Sequence, residues 1–507
     1  LKFFEFHFIS EKRRLTEQSQ YSQKELRVLN GSMTKFENIN DLTADTFSDI
    51  LRDEWCGLDA ASGYDYKKGE GPKINAVSAT KVDQGVLSDV YSVHINYQIP
   101  IPNNQEIGGK QQSRTESNSI GSTPPSDWLV KFCRPDLNLS WMCRNETVFY
   151  TCLAPCIMKE TAGAGKNQEG FSSSRSLPFS IPKFLSGSDQ HIILEEEKNI
   201  KTYPLSDGCP QEKIGFLLRS LAALHATCWE AEFMSPPLLM SELCNSTDEK
   251  FGEQGLVFPA GMGQRLPPLQ KEGLFVASWR DTIEHMRSWD SKQSYKTLDA
   301  DLIEFTIDLC QRLATLRLRD VHEKVHSHRV TCVHGDFHIA NWLFPIPNSS
   351  TIKEKQRKPI LVDFATAGYG NPLIDLVFFM VVSSNDNTVS DCQLFLKQYY
   401  QLLIEYDSSL SAKISLSTLC EWLPWALLCQ FMILIAYDGV CRDIAAAEEN
   451  EQKRESQFQH FFNVNRRMIL AIKSIDNWDL ILSKLPVATP AEQQEAHIFC
   501  QKTPLVI

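Results

Sequence analysis

The sequence lacks an excess of positive charge. Its 507 residues carry 51 Lys and Arg against 63 Asp and Glu, a formal net charge of −12. A general nucleic-acid binder wants a basic footprint, so this balance argues against one; it leaves open a nucleotide site, whose charge is local. No C-x-x-C pair and no zinc-type spacing occurs among the 15 cysteines. The nearest suggestive pair, Cys152 and Cys156, flanks Ala154-Pro155 and reads as core packing. Reduced thiols in a cytoplasmic protein are the expectation. No apolar run reaches the roughly 20 residues that a bilayer requires: the longest, Leu423–Ala436, is interrupted by Gln430 and reads as a buried helix. No secretory leader with a basic start, apolar stretch and cleavage site is recognisable, so the sequons at Asn145 and Asn245 read as chance matches. Gly163–Lys166 lacks the spacing of a P-loop and the Ser or Thr after its Lys.

What is present is enough chain for a sizeable core in two lobes. The chain opens on Leu1 and its first Met is Met33; residues 1–32 are expected to be an extension or leader artefact, outside the fold. Residues 33–196 read as an N-terminal lobe: a short helix in Asn40–Asp53, then β-character over Ile74–Tyr97 and again at Trp128–Phe132. Polar stretches near 100–127 and 162–180 read as disordered insertions. From Gln211 the period becomes helical, with Ile214, Leu217, Leu218, Leu221 and Leu224 on one face. His225 on that face reads as a packed core histidine. Residues 197–490 form the larger, mainly helical part and 491–507 a tail. Glu421, Trp422 and Trp425 admit an aromatic–acid pocket for a cation, although aromatics at helical spacing are more often core.

The chemistry concentrates in Cys332–Phe344, C-V-H-G-D-F-H-I-A-N-W-L-F, and in Ile360–Phe379, I-L-V-D-F-A-T-A-G-Y-G-N-P-L-I-D-L-V-F-F. Phosphoryl transfer asks a protein for a carboxylate that orients and deprotonates the attacking hydroxyl, and for oxygens that hold Mg²⁺ on the phosphates. Asp336 suits the first task; Asn341 and Asp363 suit the second. Two apolar runs, Trp342–Ile346 and Ile360–Phe364, flank a polar segment and predict a hairpin. That hairpin would bring Asn341 and Asp363 to one end. Asp375 reads as a structural acid accepting N–H bonds and fixing the Asp336 loop. Upstream, Lys131 lies within an apolar strand, where burial needs a partner, and Glu146 is the natural one; the alternative is an edge-strand lysine reaching water. Gly85 and Ser88 occupy a strand–turn–strand that either covers phosphates through its backbone or is a plain hairpin turn. The strand ending in Glu195, Glu196 and Glu197 fits either an adenine-contacting hinge or an ordinary strand end.

H-G-D-F-H-I-A-N resembles the H-G-D-x-x-x-x-N signature of the aminoglycoside phosphotransferase and choline kinase superfamily. The D-F-A-T-A-G-Y-G-N-P-L-I-D-L-V-F-F run is closer still to its ecdysteroid-kinase-like (CHK kinase-like) branch. Glu146 with Phe149-Tyr150, and Leu221–Ala226, also look like landmarks of that branch. The resemblance covers most of 83–384 and is concentrated in 332–380. It implies an α+β, bilobal protein-kinase-like fold, with a small N-terminal β-sheet lobe and a larger, mainly helical C-terminal lobe. It implies ATP and Mg²⁺ as cofactors and transfer of the γ-phosphate to a hydroxyl of a small molecule. Residue by residue, it makes Lys131 and Glu146 the phosphate-side ion pair, Asp336 the base, and Asn341 and Asp363 the metal ligands. The sequence departs from protein kinases: Gly335 stands where their catalytic loop carries Arg, Ala365 where their D-F-G carries Gly, and Pro372 follows within ten residues of Asp363. A long activation segment has no room, so the expected partner is a small-molecule alcohol, with no nucleic acid, membrane or obligate protein partner. The rival reading is a pseudokinase, a nucleotide-binding or scaffolding protein without turnover; the single glycine at 85 supports it and the complete catalytic set opposes it.

Overall fold

The computed structural model describes residues 39, 43–47, 74–84, 88–97, 127–133, 140–163, 176–188, 190–234, 268–290, 300–346 and 357–502. The expectations for residues 1–32, for Gly85 and for most of the two insertions fall outside these. The chain divides into two compact units, one of 1–147 with 183–198 and one of 148–182 with 199–507. The sequence expectation drew its boundary at 196/197 and kept 148–182 in the first unit.

The first unit is built on a five-stranded sheet. In chain order its strands are β1 (Ile74–Gln84), β2 (Ser88–Tyr97), β3 (Asp127–Cys133), β4 (Phe184–Gly187) and β5 (His191–Glu195). They lie in the order β1-β2-β3-β5-β4, all neighbours antiparallel. Strand β3 is therefore central, and its period-2 alternation sorts its side chains. Trp128, Val130 and Phe132 enter a core with Phe47, Val93, Ile95, Leu185 and Ile193. Lys131 and Cys133 face the other way, half-buried. Helix α1 (Ser140–Val148) covers that opposite face, its Cys143 bridged to Cys133 and its Glu146 to Lys131. The disulfide corrects the expectation of wholly reduced cysteines. Two thiols ten residues apart follow no spacing rule; only the return of the helix over the strand brings them together.

The second unit is mainly helical. Helical backbone continues past α1 through a π turn at Phe149–Leu153 to Gly163. The main helices are α2 (Gln211–Thr227), α3 (Leu373–Ser383), α4 (Cys392–Tyr406), α5 (Leu416–Ala447) and α6 (Glu451–Lys473). Three of them start where a short polar side chain satisfies an orphan N–H: Asp391 caps α4, Ser415 α5 and Asn450 α6. Leu416–Gly439 is long and apolar enough to cross a bilayer by composition, but 78% of its apolar 18-residue window is buried inside the protein, as a core helix would be. Short strands complete the unit: β6 (Ile200–Lys201), β7 (Thr331–Val333), β8 (Trp342–Pro345), β9 (Ile360–Leu361) and β10 (Gly368–Gly370). Residues 491–507, expected as a tail, carry most of a further helix, Pro490–Lys502. Its start is a capping box: Thr489 Oγ1 accepts from Glu492 N–H at 3.3 Å, and Glu492 Oε2 accepts from Thr489 N–H at 2.8 Å. Small sheet followed by a larger helical body is the α+β, protein-kinase-like order of elements.

Candidate active site

Strands β8 and β9 pair antiparallel, Trp342 opposite Leu361 and Leu343 opposite Ile360. The pairing extends one step further, where Val362 N–H donates to Asn341 O at 3.0 Å. The expected hairpin forms, and it sets Asn341 beside the residue preceding Asp363. Asp363 itself has φ +65°, the left-handed region that is costly for a residue with a Cβ. Gly335 has φ +81°, which explains glycine in H-G-D: a side chain there would be strained.

Asn341 is tied back to the base candidate. Its Nδ2 donates to the Asp336 carbonyl at 2.8 Å and lies 3.3 Å from Asp336 Oδ2. With the amide nitrogen so used, the carboxamide oxygen is the atom left to face a ligand. His338 Nε2 lies 3.2 Å from the same Asp336 Oδ2. Nδ1 of that ring is buried without a hydrogen-bond partner among the described residues. Burial by itself would raise the Asp336 pKa; the charge and hydrogen bond of His338, with His334 and Asn341, outweigh it and hold the carboxyl at about 2. The same attraction raises the His338 pKa against its own burial.

Asp375 fastens this loop from beneath. Fully buried at the start of α3, it accepts from His334 N–H at 2.6 Å and Gly335 N–H at 2.7 Å. Its Oδ2 also lies 3.2 Å from His225 Nε2, and His225 Nδ1 lies 2.7 Å from the Tyr399 hydroxyl on α4. The histidine on the α2 face is thus packed and satisfied. His334 accepts from Asp336 N–H at Nδ1, 3.3 Å away. Its Nε2 therefore carries the proton and donates to Val362 O at 3.0 Å. Burial lowers its pKa and keeps it neutral. One imidazole thereby couples the Asp336 loop to the Asp363 strand. Phe364, next to Asp363, is stacked on Phe149 with ring centroids 3.7 Å apart.

The other candidates lie in the first unit. Lys131 Nζ is 2.9 Å from Glu146 Oε2, with side-chain exposures of 15% and 2%. On a central strand paired on both sides it is not an edge lysine reaching water. Ser88 is buried and opposite Cys133 in the sheet register. The amides of Glu195 and Glu196 donate to Lys183 O and Asp127 O, so the main-chain donors of these two residues are already engaged within the first unit. Glu195 pairs with Lys183 at 3.4 Å. Glu421, Trp422 and Trp425 line a cavity of about 710 Å³ that contains no residue of the 332–344 loop. Both tryptophans are largely buried, and Trp422 is stacked on His328 at 4.5 Å.

The sequence reading passes over His334, His338 and Tyr399. The first two stand in the H-G-D-F-H motif itself and were open to notice. Tyr399 reaches the site from a helix whose apolar period hides it.

The model of the ecdysteroid kinase-like family matches residues 134–411, more than half of the chain, which belongs to that family. No curated protein matches it at the sequence level. Among solved structures, a choline kinase from Cryptosporidium parvum Iowa II is similar at 10% identity, covering 83% of this chain and 94% of that one, with a TM-score of 0.37. A Plasmodium vivax ethanolamine kinase is similar at 9% identity over 87% and 92%, with a TM-score of 0.35. The ADP-bound aminoglycoside phosphotransferase APH(2'')-Ib gives 14% identity over 83% and 99%, with a TM-score of 0.35.

Proposed function

We propose that the protein is an ATP- and Mg²⁺-dependent phosphotransferase that moves a γ-phosphate to a hydroxyl of a small molecule. The observation that supports it best is the bond from Asn341 Nδ2 to the Asp336 carbonyl. It ties the base candidate to one metal-ligand candidate, while the hairpin keeps the other, Asp363, one residue from the Asn341 pairing.

The donor set suits magnesium. No cluster of three or more His, Cys, Asp or Glu able to hold a metal occurs among the described residues. One carboxamide and one carboxylate do not make a closed protein cage; they fit a hard ion that keeps water and phosphate oxygens as its remaining ligands. When bound, that ion would neutralise charge developing on the transferred phosphoryl group. Asp336 accepts a hydrogen bond from the acceptor hydroxyl and aims it. A carboxyl held at about 2 is a weak base, so it takes the proton only as the new O–P bond forms. Lys131, directed by Glu146, serves the nucleotide phosphates. Gly85 and Ser88 are the candidates for the turn that covers the phosphates, and Glu195 and Glu197 those for contact with the base.

The acceptor is small because the chain passes from Asp363 to α3 by a single 3₁₀ turn and β10, with no segment on which a protein substrate would dock. The chain's two parts, 33–196 and 197–490, would then serve nucleotide and acceptor respectively, in the cytoplasm.

The test is transfer from labelled ATP to alcohols of a metabolite extract. Asp336→Asn and Asp363→Asn should each lower turnover by roughly a thousandfold or more with the fold unchanged. Undiminished transfer in either variant would overturn the assignment. Stabilisation by Mg–ATP with no turnover on any alcohol would favour the pseudokinase.

A further inference from the structure

The geometry points to Cys133 and Cys143 as a thiol–disulfide exchange site that holds α1 over β3 and so keeps Glu146 on Lys131. The coupling to nucleotide rests on the function proposed above; the hold on α1 does not.

Two periodicities carry the inference. Residues i and i+2 of a strand share a face, and residues i and i+3 of a helix share a face. Lys131 and Cys133 are such a pair on β3, on the side opposite the Trp128–Val130–Phe132 core. Cys143 and Glu146 are such a pair on α1. The disulfide and the ion pair are adjacent rungs between one strand face and one helix face. The covalent rung fixes the two Cα atoms of Cys133 and Cys143 at 6.4 Å. The ionic rung, with side-chain exposures of 15% and 2%, is a buried pair, which compensates its desolvation only while its geometry stays close. Opening the covalent rung leaves that geometry to the ion pair and to the packing of the helix.

The two cysteines differ in access: Cys133 is half-buried and Cys143 has no exposed surface. Reduction therefore starts at Cys133. The thiolate of a glutathione-class thiol attacks Cys133 Sγ, the S–S bond breaks, and Cys143 leaves as a thiolate that takes up a proton. A second such thiol attacks the mixed disulfide on Cys133 and frees it as a thiol. Two electrons pass from two small thiols to the protein, and one small disulfide is released. Oxidation by a small disulfide runs the same steps backwards.

The full chain is equilibrated with glutathione disulfide or with dithiothreitol. Three quantities are then compared: the 133–143 cross-link by peptide mapping, hydrogen exchange across 140–148, and calorimetric affinity for Mg–AMP-PNP. The oxidised form should carry the cross-link, exchange about tenfold more slowly in α1 and bind the nucleotide about five- to tenfold more tightly. Cys143→Ser should behave as the reduced form under both treatments. Because Cys143 is fully buried, Cys133→Ser is the second variant, at the more tolerant position. A missing cross-link, α1 exchange indifferent to treatment, or a difference that survives in both variants would overturn the inference. Nucleotide binding equal in the two forms, with α1 responding, would overturn the coupling to nucleotide and leave the hold on α1 standing. If neither form binds nucleotide, the proposed function falls, and the exchange measurement still decides whether the cross-link holds the helix.

Discussion

The two units fix their candidate site residues by opposite means. In the second, the Asp336 loop is held by a buried polar network in which Asp375, His334 and His225 each make at least two hydrogen bonds. In the first, Lys131 and Glu146 hold one another across a strand–helix contact reinforced by a disulfide. A network of neutral and charged bonds in a dry interior is rigid but brittle, since losing one member strands the others. A strand–helix contact with few rungs gives more gradually. The Asp336 loop should therefore fail sharply on substitution and the lysine pair by degrees.

The sharpest break comes at Asp375. Asp375→Ala leaves two backbone donors, at His334 and Gly335, and one imidazole without their acceptor in a site with no exposed surface. The expected loss is roughly 3–5 kcal/mol of unfolding free energy, read from urea denaturation. Asp375→Asn, which keeps one acceptor oxygen, should lose about half as much. A loss below about 1 kcal/mol for the alanine variant would mean that the loop holds itself, and the contrast between the units would disappear.

How much of this was open to reading from the chain follows the same division. The Asp336 loop, the hairpin and the structural role of Asp375 were legible because their residues lie close together and their types are dictated by chemistry or by φ, as at Gly335. Tyr399 was not: it lies 174 residues from its partner His225, on a helix whose period reads as plain core. The Lys131–Glu146 pair was legible as a pair, but the centrality of β3 depends on β5 crossing to its other side, which no local pattern shows. The Cys133–Cys143 bridge was hidden because no local pattern shows α1 folding back over β3. The helix at Pro490 was legible in Thr489-Pro-Ala-Glu492 as a capping box, a signal that composition alone obscures under the heading of a tail.

A pH titration sharpens the contrast next. His460 on α6 is buried; burial first, then Arg467 and His338, push its pKa from 6.5 down to about 3. The unfolded chain therefore binds a proton at a pH where the folded chain refuses it. The stability tied to this ring is complete above about pH 6.5 and falls as pH drops toward 3, by up to about 5 kcal/mol at about 1.4 kcal/mol per unit. His460→Gln should flatten that stretch of the stability–pH curve. A curve of unchanged slope would place the acid sensitivity elsewhere.

The smallest effect is expected in the first unit, at Gly187, the last residue of β4. A Cβ there would lie 2.5 Å from Thr147 Oγ1 and 3.1 Å from the Phe184 ring. Thr147 follows Glu146 on α1, and its hydroxyl donates to Ser188 O at 3.2 Å. In Gly187→Ala the hydroxyl must rotate away and lose that bond, or α1 must shift off β4. Either costs about 1–2 kcal/mol, but only the second disturbs Glu146. The two are separable. If the hydroxyl rotates, its bond is already lost, so adding Thr147→Ala should cost little more while α1 exchange never changes. If the helix shifts, Gly187→Ala alone should speed exchange across 140–148. The oxidised protein should resist that shift more than the reduced one, because the Cys133–Cys143 rung opposes it. Equal exchange in both redox forms of Gly187→Ala would show that β4, and not the disulfide, sets the height of α1 above the sheet.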